Sequence, residues 1–519
     1  MTRAYFLIFS FVFLIGSALC AQMLPVPTLK PIKSFYTADE LRQDIDQLQA
    51  LLERYHPNYG LIESPEALNH RFEAVRKGIK DKHYTLHQAF MLLKPLVTQV
   101  NDGHTCLSMS PLQQIEYIQK LRSPRATFDY IGDSLFVRAD GEALSSARKV
   151  NKINGLSIPN LRVALGDFVC RDHQGDSLAL AANSYVLNFY LAQLFHERNK
   201  PYEIDILSAT GKSTGLEFKS EPFSTQMIRR SLEEKKKKYF LYWKDSLPIL
   251  SIDSFVHDEQ EFEQFLDKSF SEIKASAAKD LVIDLRKNSG GILRSASVLL
   301  AYLLDRKHHF PKYVHITGNE VRENDSIIPA NTSLLGYAGM QKNKMSARYI
   351  KQRLNKNLRQ VANWPYKRAV KPRGLVVPTK PISWGKDEFD GNIHVLISEH
   401  TFSAASQFAR QLRLYNRRAI FYGQPTGGSG GRSCMSSELA FVLKNTRFEA
   451  SIPFICEMQD LEPDRSFFLP DIFVLDNFAA RLANLDLGLR AINKNITGNL
   501  FMPVPKLKPA PNFSKANSS

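Results

Sequence analysis

The fold of the chain's largest unit follows from one stretch, NIHVLISEHTFSAASQFARQLRLYNRRAIFYGQPTGGSGG, which runs from Asn392 to Gly431. Its first apolar run, Ile393 to Ile397, is rich in β-branched residues and predicts a buried strand. After a short polar turn, small residues from Ser403 onward open a segment whose apolar positions recur at helical spacing. A second apolar run, Ala419 to Tyr422, predicts another strand that ends in a glycine-rich loop. This order of strand, helix and strand is typical of an α/β sheet with crossover connections.

Ser403 stands at the junction between the first of these strands and the helix. The first backbone N–H groups of a helix have no partner inside the helix, and they form its positive end. A nucleophilic serine is useful at such a place, because the oxyanion that forms in acyl transfer needs these donors. Serine is also a common helix N-cap. This stretch alone therefore leaves two interpretations of Ser403 open.

The length and composition indicate an ordinary globular protein with more than one domain. The chain has 519 residues, of which 44% are hydrophobic and 23% are charged, and this length predicts two to four domains. The net charge of +16 is compatible with a polyanionic partner. However, the basic residues are spread along the chain, and the dense run Lys235 to Lys238 follows two glutamates, which favours a solvated helix face. We expect no nucleic-acid partner, no metal and no other cofactor, because no zinc-type or phosphate-loop motif occurs.

The N-terminus has the pattern of a secretory signal peptide. A positively charged start and an apolar run, Tyr5 to Ile15, are followed by small residues and a cleavage site after Ala21. A lipoprotein signal at Cys20 fits less well, because bulky Leu19 stands where that signal needs a small residue. No later segment is apolar for long enough to span a bilayer. We therefore expect residues 1–21 to be removed from an exported protein, periplasmic or extracellular, with envelope association left open.

Four cysteines remain after that segment: Cys106, Cys170, Cys434 and Cys456. They can pair in an oxidising compartment, although so few in so long a chain do not form a disulfide framework. Buried free thiols are an equal alternative.

The first domain that we predict is helical and covers residues 35–122, after a Pro-rich linker at 22–34. Its helices are expected at about 39–55, 65–79 and 85–100, the first of them preceded by Thr37 in a capping box with Glu40. The domain leads into the turn Asn-Asp-Gly-His-Thr at 101–105. A lone histidine is usually structural, but His104 in a tight polar turn can project into a cleft and act as a base.

The next predicted domain, residues 123–222, is rich in β-strands. Its strand-turn pattern Lys152-Ile153-Asn154-Gly155 resembles a divergent PDZ-type module, with a helical insertion near 177–197. A module of that kind binds an extended peptide by adding a strand to its sheet. A β-rich spacer without a binding role is the alternative.

The largest predicted unit is an α/β core at residues 239–490. Strands are expected at 249–255 and 281–285, with helices at 259–276 and 295–304. The region 306–388 has no clear pattern, and we interpret it as an insertion with some helix at 340–360 that covers the cleft. The last residues, 491–519, form a C-terminal tail.

Five motifs follow one another in a fixed order along the chain. They are Asn-Asp-Gly-His-Thr at 101–105, Asp-Leu-Arg at 284–286 followed by Gly290-Gly291, Thr-Phe-Ser-Ala-Ala at 401–405, Gly-Gln-Pro-Thr-Gly at 423–427 and Pro470-Asp471. In this order they resemble the C-terminal processing (tail-specific) serine peptidases and the core of the tricorn protease. The resemblance is best over residues 240–480. It implies a crotonase-like ββα core of the ClpP/crotonase clan, with an N-terminal helical region and a PDZ-like domain.

The resemblance also implies roles for single residues. Ser403 matches the nucleophile. Many members use a lysine base in the loop that corresponds to 425–431, but this loop has no lysine here. His104 instead matches the histidine base of the tricorn-like branch. Two positions depart from the pattern: Gly103 replaces a serine before the histidine, and Ser406 replaces a glutamate that is common in relatives.

An acidic residue a few positions before the Pro-Asp pair orients the histidine in that branch. Asp464 stands near this place, and Glu462 is the alternative. The oxyanion donors that the resemblance implies are the backbone N–H groups of Ala404 and of Gly290 or Gly291.

The function that follows is an exported serine endopeptidase or C-terminal processing peptidase that acts on peptide or protein substrates. One other hypothesis is a catalytically weak or inactive peptide-binding protein on the same fold, which the missing lysine and Ser406 favour. Another is a structural protein of the cell surface, which the net charge and the Pro/Lys-rich segment 503–511 favour. The sequence does not determine the oligomeric state.

Overall fold

The computed structural model describes residues 33–57, 59, 63–172, 176–181, 184–196, 200–207, 212–233, 238–304, 313–316, 327–329, 375–378, 389–429, 431–434, 439–453, 455–458 and 468–498. They form an N-terminal helical region, a β-rich middle region and a C-terminal α/β region. The domain boundaries given above stay predictions.

The described part of the N-terminal region consists of four helices and three short strands. These are β1 (Phe35–Tyr36), α1 (Ala38–Tyr55), α2 (Pro65–Gly78), β2 (Tyr84–Thr85), α3 (Leu86–Thr98), β3 (Cys106–Ser108) and α4 (Pro111–Lys120). The predicted capping box at α1 is confirmed, because Thr37 Oγ1 accepts a hydrogen bond from Glu40 N (3.3 Å) and the Glu40 carboxylate accepts one from Thr37 N (2.9 Å). The three helices expected from the apolar spacing are confirmed as α1 to α3.

The middle region is built on a sheet whose main strand order is β10-β9-β7-β6-β5. Its elements are β4 (Arg122–Pro124), β5 (Ala126–Ile131), β6 (Ser134–Ala139), β7 (Arg148–Ile153), β8 (Leu156–Ser157), α5 (Ile158–Gly166), α6 (Ser177–Leu180), α7 (Ser184–Leu194), β9 (Tyr202–Leu207), β10 (Ser213–Phe218), β11 (Ser220–Pro222) and α8 (Phe223–Glu233). The predicted Asn-Gly turn joins β7 to β8, and both Asn154 (φ 49°) and Gly155 (φ 81°) adopt the left-handed conformation that such a turn needs. The expected helical insertion corresponds to α6 and α7.

The α/β region contains a six-stranded sheet of order β12-β13-β14-β18-β19-β24. Its strands are β12 (Tyr239–Lys244), β13 (Leu247–Ile252), β14 (Asp280–Asp284), β18 (Asn392–Ile397), β19 (Ala419–Gly423) and β24 (Ile472–Phe473). The helices among the described residues of this region are α9 (Glu259–Ala275), α10 (Leu293–Leu300), α11 (Ala404–Tyr415), α12 (Phe478–Leu482) and α13 (Leu487–Ile496). All pairs are parallel except β12 with β13. Every residue of β13 is buried, as expected of strands covered on both faces.

Seven further strands make two four-stranded sheets, together with β3. They are β15 (Tyr313–Ile316), β16 (Ile327–Pro329), β17 (Leu375–Pro378), β20 (Arg432–Cys434), β21 (Leu439–Val442), β22 (Glu449–Ser451) and β23 (Ile455–Met458). Their orders are β17-β15-β23-β20 and β16-β21-β22-β3. Most of the predicted insertion at 306–388, including the helix expected at 340–360, lies outside the described residues.

Strand β3 connects the N-terminal helices to the α/β region. It begins two residues after His104 and pairs antiparallel with β22, where Leu107 lies opposite Ala450. The β21–β22 hairpin also contributes Phe441 and Phe448 to the same buried core as the N-terminal helices. This shared core fixes the position of the turn that carries His104 relative to the α/β region.

The four cysteines form two disulfides, Cys106–Cys170 and Cys434–Cys456. The first joins β3 to the loop that follows α5, and the second links β20 to β23 across the sheet. Of the two alternatives for the cysteines, pairing is therefore the one that the structure supports. Among the described residues, no helix is both long enough and apolar enough to cross a membrane.

Candidate active site

The site lies where the carboxyl ends of β14 and β18 meet, which is the usual position of a site in an open parallel sheet. The loops after these strands are joined to each other. Phe402 N donates to the backbone oxygen of Asn288 (3.1 Å), and Thr401 Oγ1 donates to that of Leu285 (2.9 Å). Both Asn288 and Thr401 are completely buried. The two loops therefore form one rigid support for the residue that follows Phe402.

Ser403 has an unusual backbone conformation, with φ 52° and ψ −123°. Residues other than glycine avoid this region, and where they adopt it the strain tends to occur at functional sites. The Ser403 side chain makes no capping hydrogen bond to α11. The N-cap interpretation therefore does not explain this serine. A strained turn between a strand and a helix is the arrangement that exposes a nucleophilic hydroxyl in other hydrolases.

The side chain of His104 contacts Ser403 directly, and the distance from His104 Nε2 to Ser403 Oγ is 2.9 Å. The imidazole is nine-tenths buried, and its ring stacks on Phe402 with ring centroids 5.1 Å apart. Burial lowers the pKa of His104 below its usual value, because the charged form loses solvation. His104 is thus neutral at neutral pH and can accept a proton from the hydroxyl of Ser403.

The second ring nitrogen of His104, Nδ1, has no hydrogen-bond partner in the described part of the chain. Among the described residues, Asp102 has a carboxylate close to it: its Oδ1 lies 3.9 Å from Nδ1 and accepts a hydrogen bond from the backbone N of His104 at 2.8 Å. The predicted orienting residue, Asp464, and its alternative, Glu462, lie outside the described residues. Their role stays a prediction.

Asp172, which the sequence did not single out, also faces the histidine turn. One carboxylate oxygen accepts a hydrogen bond from Gly103 N (2.9 Å), and the other accepts one from Ser429 N (3.1 Å). The negative charge of Asp172 raises the pKa of His104, against the larger effect of burial. Desolvation, and then repulsion from Asp102, raise the pKa of Asp172 itself to about 6. No local motif marks Asp172; its nearest signal in the sequence is Cys170.

The backbone N–H groups of Ala404 and Gly291 have no hydrogen-bond partner among the described residues. By contrast, Gly290 N donates to Asn288 Oδ1 at 2.8 Å, so this N–H, which we expected as an alternative donor, is already engaged. Gly290 adopts φ +100°, and a Cβ there would lie 2.7 Å from Ser403 Cβ and 3.1 Å from Ala404 N. Glycine at 290 therefore leaves space beside the nucleophile, and Gly291 and Ala404 are the donors available to an oxyanion.

Packing explains both departures from the family pattern. A Cβ on Gly103 would lie 2.4 Å from Phe402 Cζ, so the ring that stacks on His104 excludes a larger residue at 103. Ser406 is completely buried and donates a hydrogen bond to the backbone oxygen of Ser403 at 3.0 Å. A Cβ on Gly428 would lie 2.4 Å from Ser406 Oγ, which shows how closely the glycine loop covers this position. Small residues at these places belong to the way this chain packs the site.

A family model, Peptidase family S41, matches residues 247–439. This segment of the chain resembles that family. The resemblance to C-terminal processing serine peptidases is thus confirmed, and the protein is a serine-type hydrolase that acts on peptide bonds. The matched segment includes Ser403 and Gly290-Gly291, whereas His104 lies upstream of it. A search of the curated proteins found no match.

The chain also resembles solved structures. Mature CPAF complexed with lactacystin has a TM-score of 0.57 at 14% identity, covering 89% of this chain and 99% of that chain. A CPAF mutant has a TM-score of 0.58 at 14% identity, covering 90% and 99%. The photosystem II D1 C-terminal processing protease has a TM-score of 0.40 at 11% identity, covering 84% of this chain and 93% of that chain. The two CPAF structures support a multidomain α/β protease fold.

Proposed function

We propose that this protein is an exported serine endopeptidase or C-terminal processing peptidase that uses Ser403 as nucleophile and His104 as base. The single observation that carries the proposal is the 2.9 Å contact between His104 Nε2 and Ser403 Oγ. It joins two residues that were selected from separate motifs.

The mechanism begins when Ser403 Oγ attacks the carbonyl carbon of a peptide bond and His104 Nε2 takes the proton of the hydroxyl. The backbone N–H groups of Ala404 and Gly291 donate to the oxyanion that forms. His104 then gives its proton to the leaving amine, which departs and leaves an acyl ester on Ser403. Water attacks this ester with His104 again as base, and the second product leaves. The acid that orients His104 is Asp464, or Glu462 as the alternative.

The proposal also includes the type of catalytic core, the role of the middle region and the export of the protein. The core is crotonase-like, which the parallel order β13-β14-β18-β19 and the glycine turn after β14 support. The middle region is a PDZ-like module that presents peptide substrate, which the β7–β8 turn supports. Export to the periplasm or the cell exterior fits the two disulfides, because such bonds persist in oxidising compartments.

A second candidate is a peptide-binding protein with little turnover. The observation that favours it is His104 Nδ1, which is buried and lacks a partner within the described residues. An imidazole that is not oriented through Nδ1 is a poorer base.

Peptide cleavage distinguishes the two candidates. The purified protein is incubated with a mixed peptide library at neutral pH, in parallel with the variants Ser403→Ala and His104→Ala. The proposal expects cleavage by the parent and losses of at least about a thousand-fold in both variants. Equal cleavage by the parent and Ser403→Ala would refute the proposal. Binding of peptides without cleavage would support the second candidate.

A further inference from the structure

We infer that Asp172 is a positioning residue for His104. Its carboxylate connects the histidine turn to the glycine loop and stabilises the imidazole of His104 when that ring is protonated. This inference rests on the proposed function, because it assigns Asp172 to the same reaction. It adds a contribution from the middle region of the chain, which the family match at residues 247–439 does not include.

The geometry places one carboxylate between two loops of the site. Oδ1 accepts from the N–H of Gly103, which precedes His104, and Oδ2 accepts from the N–H of Ser429 in the glycine loop. These partners are 69 and 257 residues away in the chain. A carboxylate that accepts both bonds fixes the distance between the two loops, and a shift of the histidine turn by about 1 Å is enough to slow the reaction about a hundred-fold.

A disulfide beside the site limits the movement of both segments. Cys106 follows His104 by two residues and Cys170 precedes Asp172 by two, and the two cysteines are bonded to each other. The buried ammonium group of Lys94 lies 3.1 Å from Cys170 Sγ and donates to the backbone oxygen of Leu107 at 3.1 Å. The loop that carries Asp172 is therefore fixed to the histidine turn covalently as well as by hydrogen bonds.

The charges around Asp172 determine what its ionised form does. Among the described residues, the titratable groups that act on its charge are Asp102, which repels it, and His104, which attracts it when protonated. The ionised carboxylate accepts the two N–H bonds and favours the imidazolium that forms when Ser403 attacks. Removal of this charge therefore lowers the pKa of His104 and weakens it as a base.

The test compares Asp172→Asn, which is similar in shape but neutral, with Asp172→Glu, which keeps the charge. Asp176→Asn is a matched control, because Asp176 lies on the same loop but caps α6 and pairs with Arg162. Two quantities are measured for each: the pKa of the His104 imidazole by NMR, assigned with a His104→Gln sample, and the rate of fluorophosphonate labelling as a function of pH. Thermal unfolding is recorded to establish that each variant is folded.

For Asp172→Asn we expect a lower His104 pKa, so the loss of labelling on the acid side should shift to lower pH. Labelling at neutral pH should be about tenfold slower, which corresponds to one pKa unit of lost charge stabilisation. Asp172→Glu should keep the His104 pKa near that of the parent, and Asp176→Asn should match the parent in both measurements. If Asp172→Asn does not fold, folded Asp172→Glu decides the inference. A His104 pKa equal to that of the parent supports it, because the charge is kept. A His104 pKa clearly below that of the parent overturns it.

An unchanged His104 pKa in folded Asp172→Asn would overturn the inference. Slower labelling with an unshifted acid limb would also overturn it, since that is the result of a merely structural role. Failure of the parent to label would instead count against the proposed function, and the NMR measurement would still decide the inference, because it does not depend on turnover.

Discussion

His104 Nε2 and Ser403 Oγ lie 2.9 Å apart, although 299 residues separate them in the chain. The pairing of β3 with β22 fixes the position of the histidine turn, and the loop after β18 carries the serine. Neither segment makes the contact by itself. The catalytic pair is therefore a product of the folded chain, and its properties depend on groups from all three regions.

The pH dependence of the reaction should follow the protonation of His104. The base must be neutral, and burial lowers its pKa, so activity is complete at neutral pH and is lost as the pH falls through the lowered pKa. We expect the midpoint of kcat/KM on the acid side to lie below about 6.5, the usual pKa of histidine. The measurement is a pH–rate profile with a peptide substrate. A midpoint above pH 7 would contradict the assignment of His104 as a base whose pKa is lowered by burial.

Replacement of Gly290 by alanine should abolish or strongly reduce activity. The new Cβ would lie 2.7 Å from Ser403 Cβ, and the backbone at φ +100° would be strained. Gly141→Ala is a matched control: its φ is also positive, at +83°, but a Cβ there meets nothing within 4 Å. We expect each variant to lose about 1–2 kcal/mol of stability from backbone strain, and only Gly290→Ala to lose labelling by a fluorophosphonate. Equal labelling of the two variants would count against the crowding argument.

Gly103→Ala should perturb the base through Phe402. The added Cβ would lie 2.4 Å from Phe402 Cζ, so the ring that stacks on His104 must move, at a cost of about 1–3 kcal/mol for overpacking. The double variant Gly103→Ala/Phe402→Leu has room for this methyl group. A double-mutant cycle on the free energy of unfolding should therefore show that the two changes partly compensate. Strict additivity would mean that the two side chains do not compete for the same space.

The two disulfides should contribute unequally to stability. Cys106–Cys170 spans 64 residues and Cys434–Cys456 spans 22. Loop-closure entropy then predicts that replacing the first pair by serines costs about 1 kcal/mol more than replacing the second, out of about 3–4 kcal/mol each. Denaturant unfolding of the two double-serine variants tests this difference. A larger loss for the Cys434–Cys456 pair would mean that loop length does not govern the effect here.

Much of the fold was predictable because its signals are local. The strands on either side of α11 are apolar runs bounded by polar turns or glycines, and the cap at Thr37 depends on a residue three positions away. Ser403 and His104 could be proposed because each lies in a short motif whose chemistry suits its role. These features require no knowledge of distant contacts.

The remaining features depend on long-range packing. Asp172 has no motif, and its two partners come from other regions of the chain. Four cysteines allow three pairings, and the sequence does not distinguish between them. A Cβ at 103 would clash with Phe402, and a Cβ at 428 would clash with Ser406. Both neighbours are brought there only by the folded structure. The engaged N–H of Gly290 is likewise visible only once the side chain of Asn288 is placed.

Labelling with a fluorophosphonate probe, with the adduct located by mass spectrometry, tests whether Ser403 is a nucleophile activated by His104. We expect a single adduct on Ser403 of the parent, no adduct in Ser403→Ala, and little or none in folded His104→Ala. An adduct on another residue, or full labelling of Ser403 in His104→Ala, would contradict it.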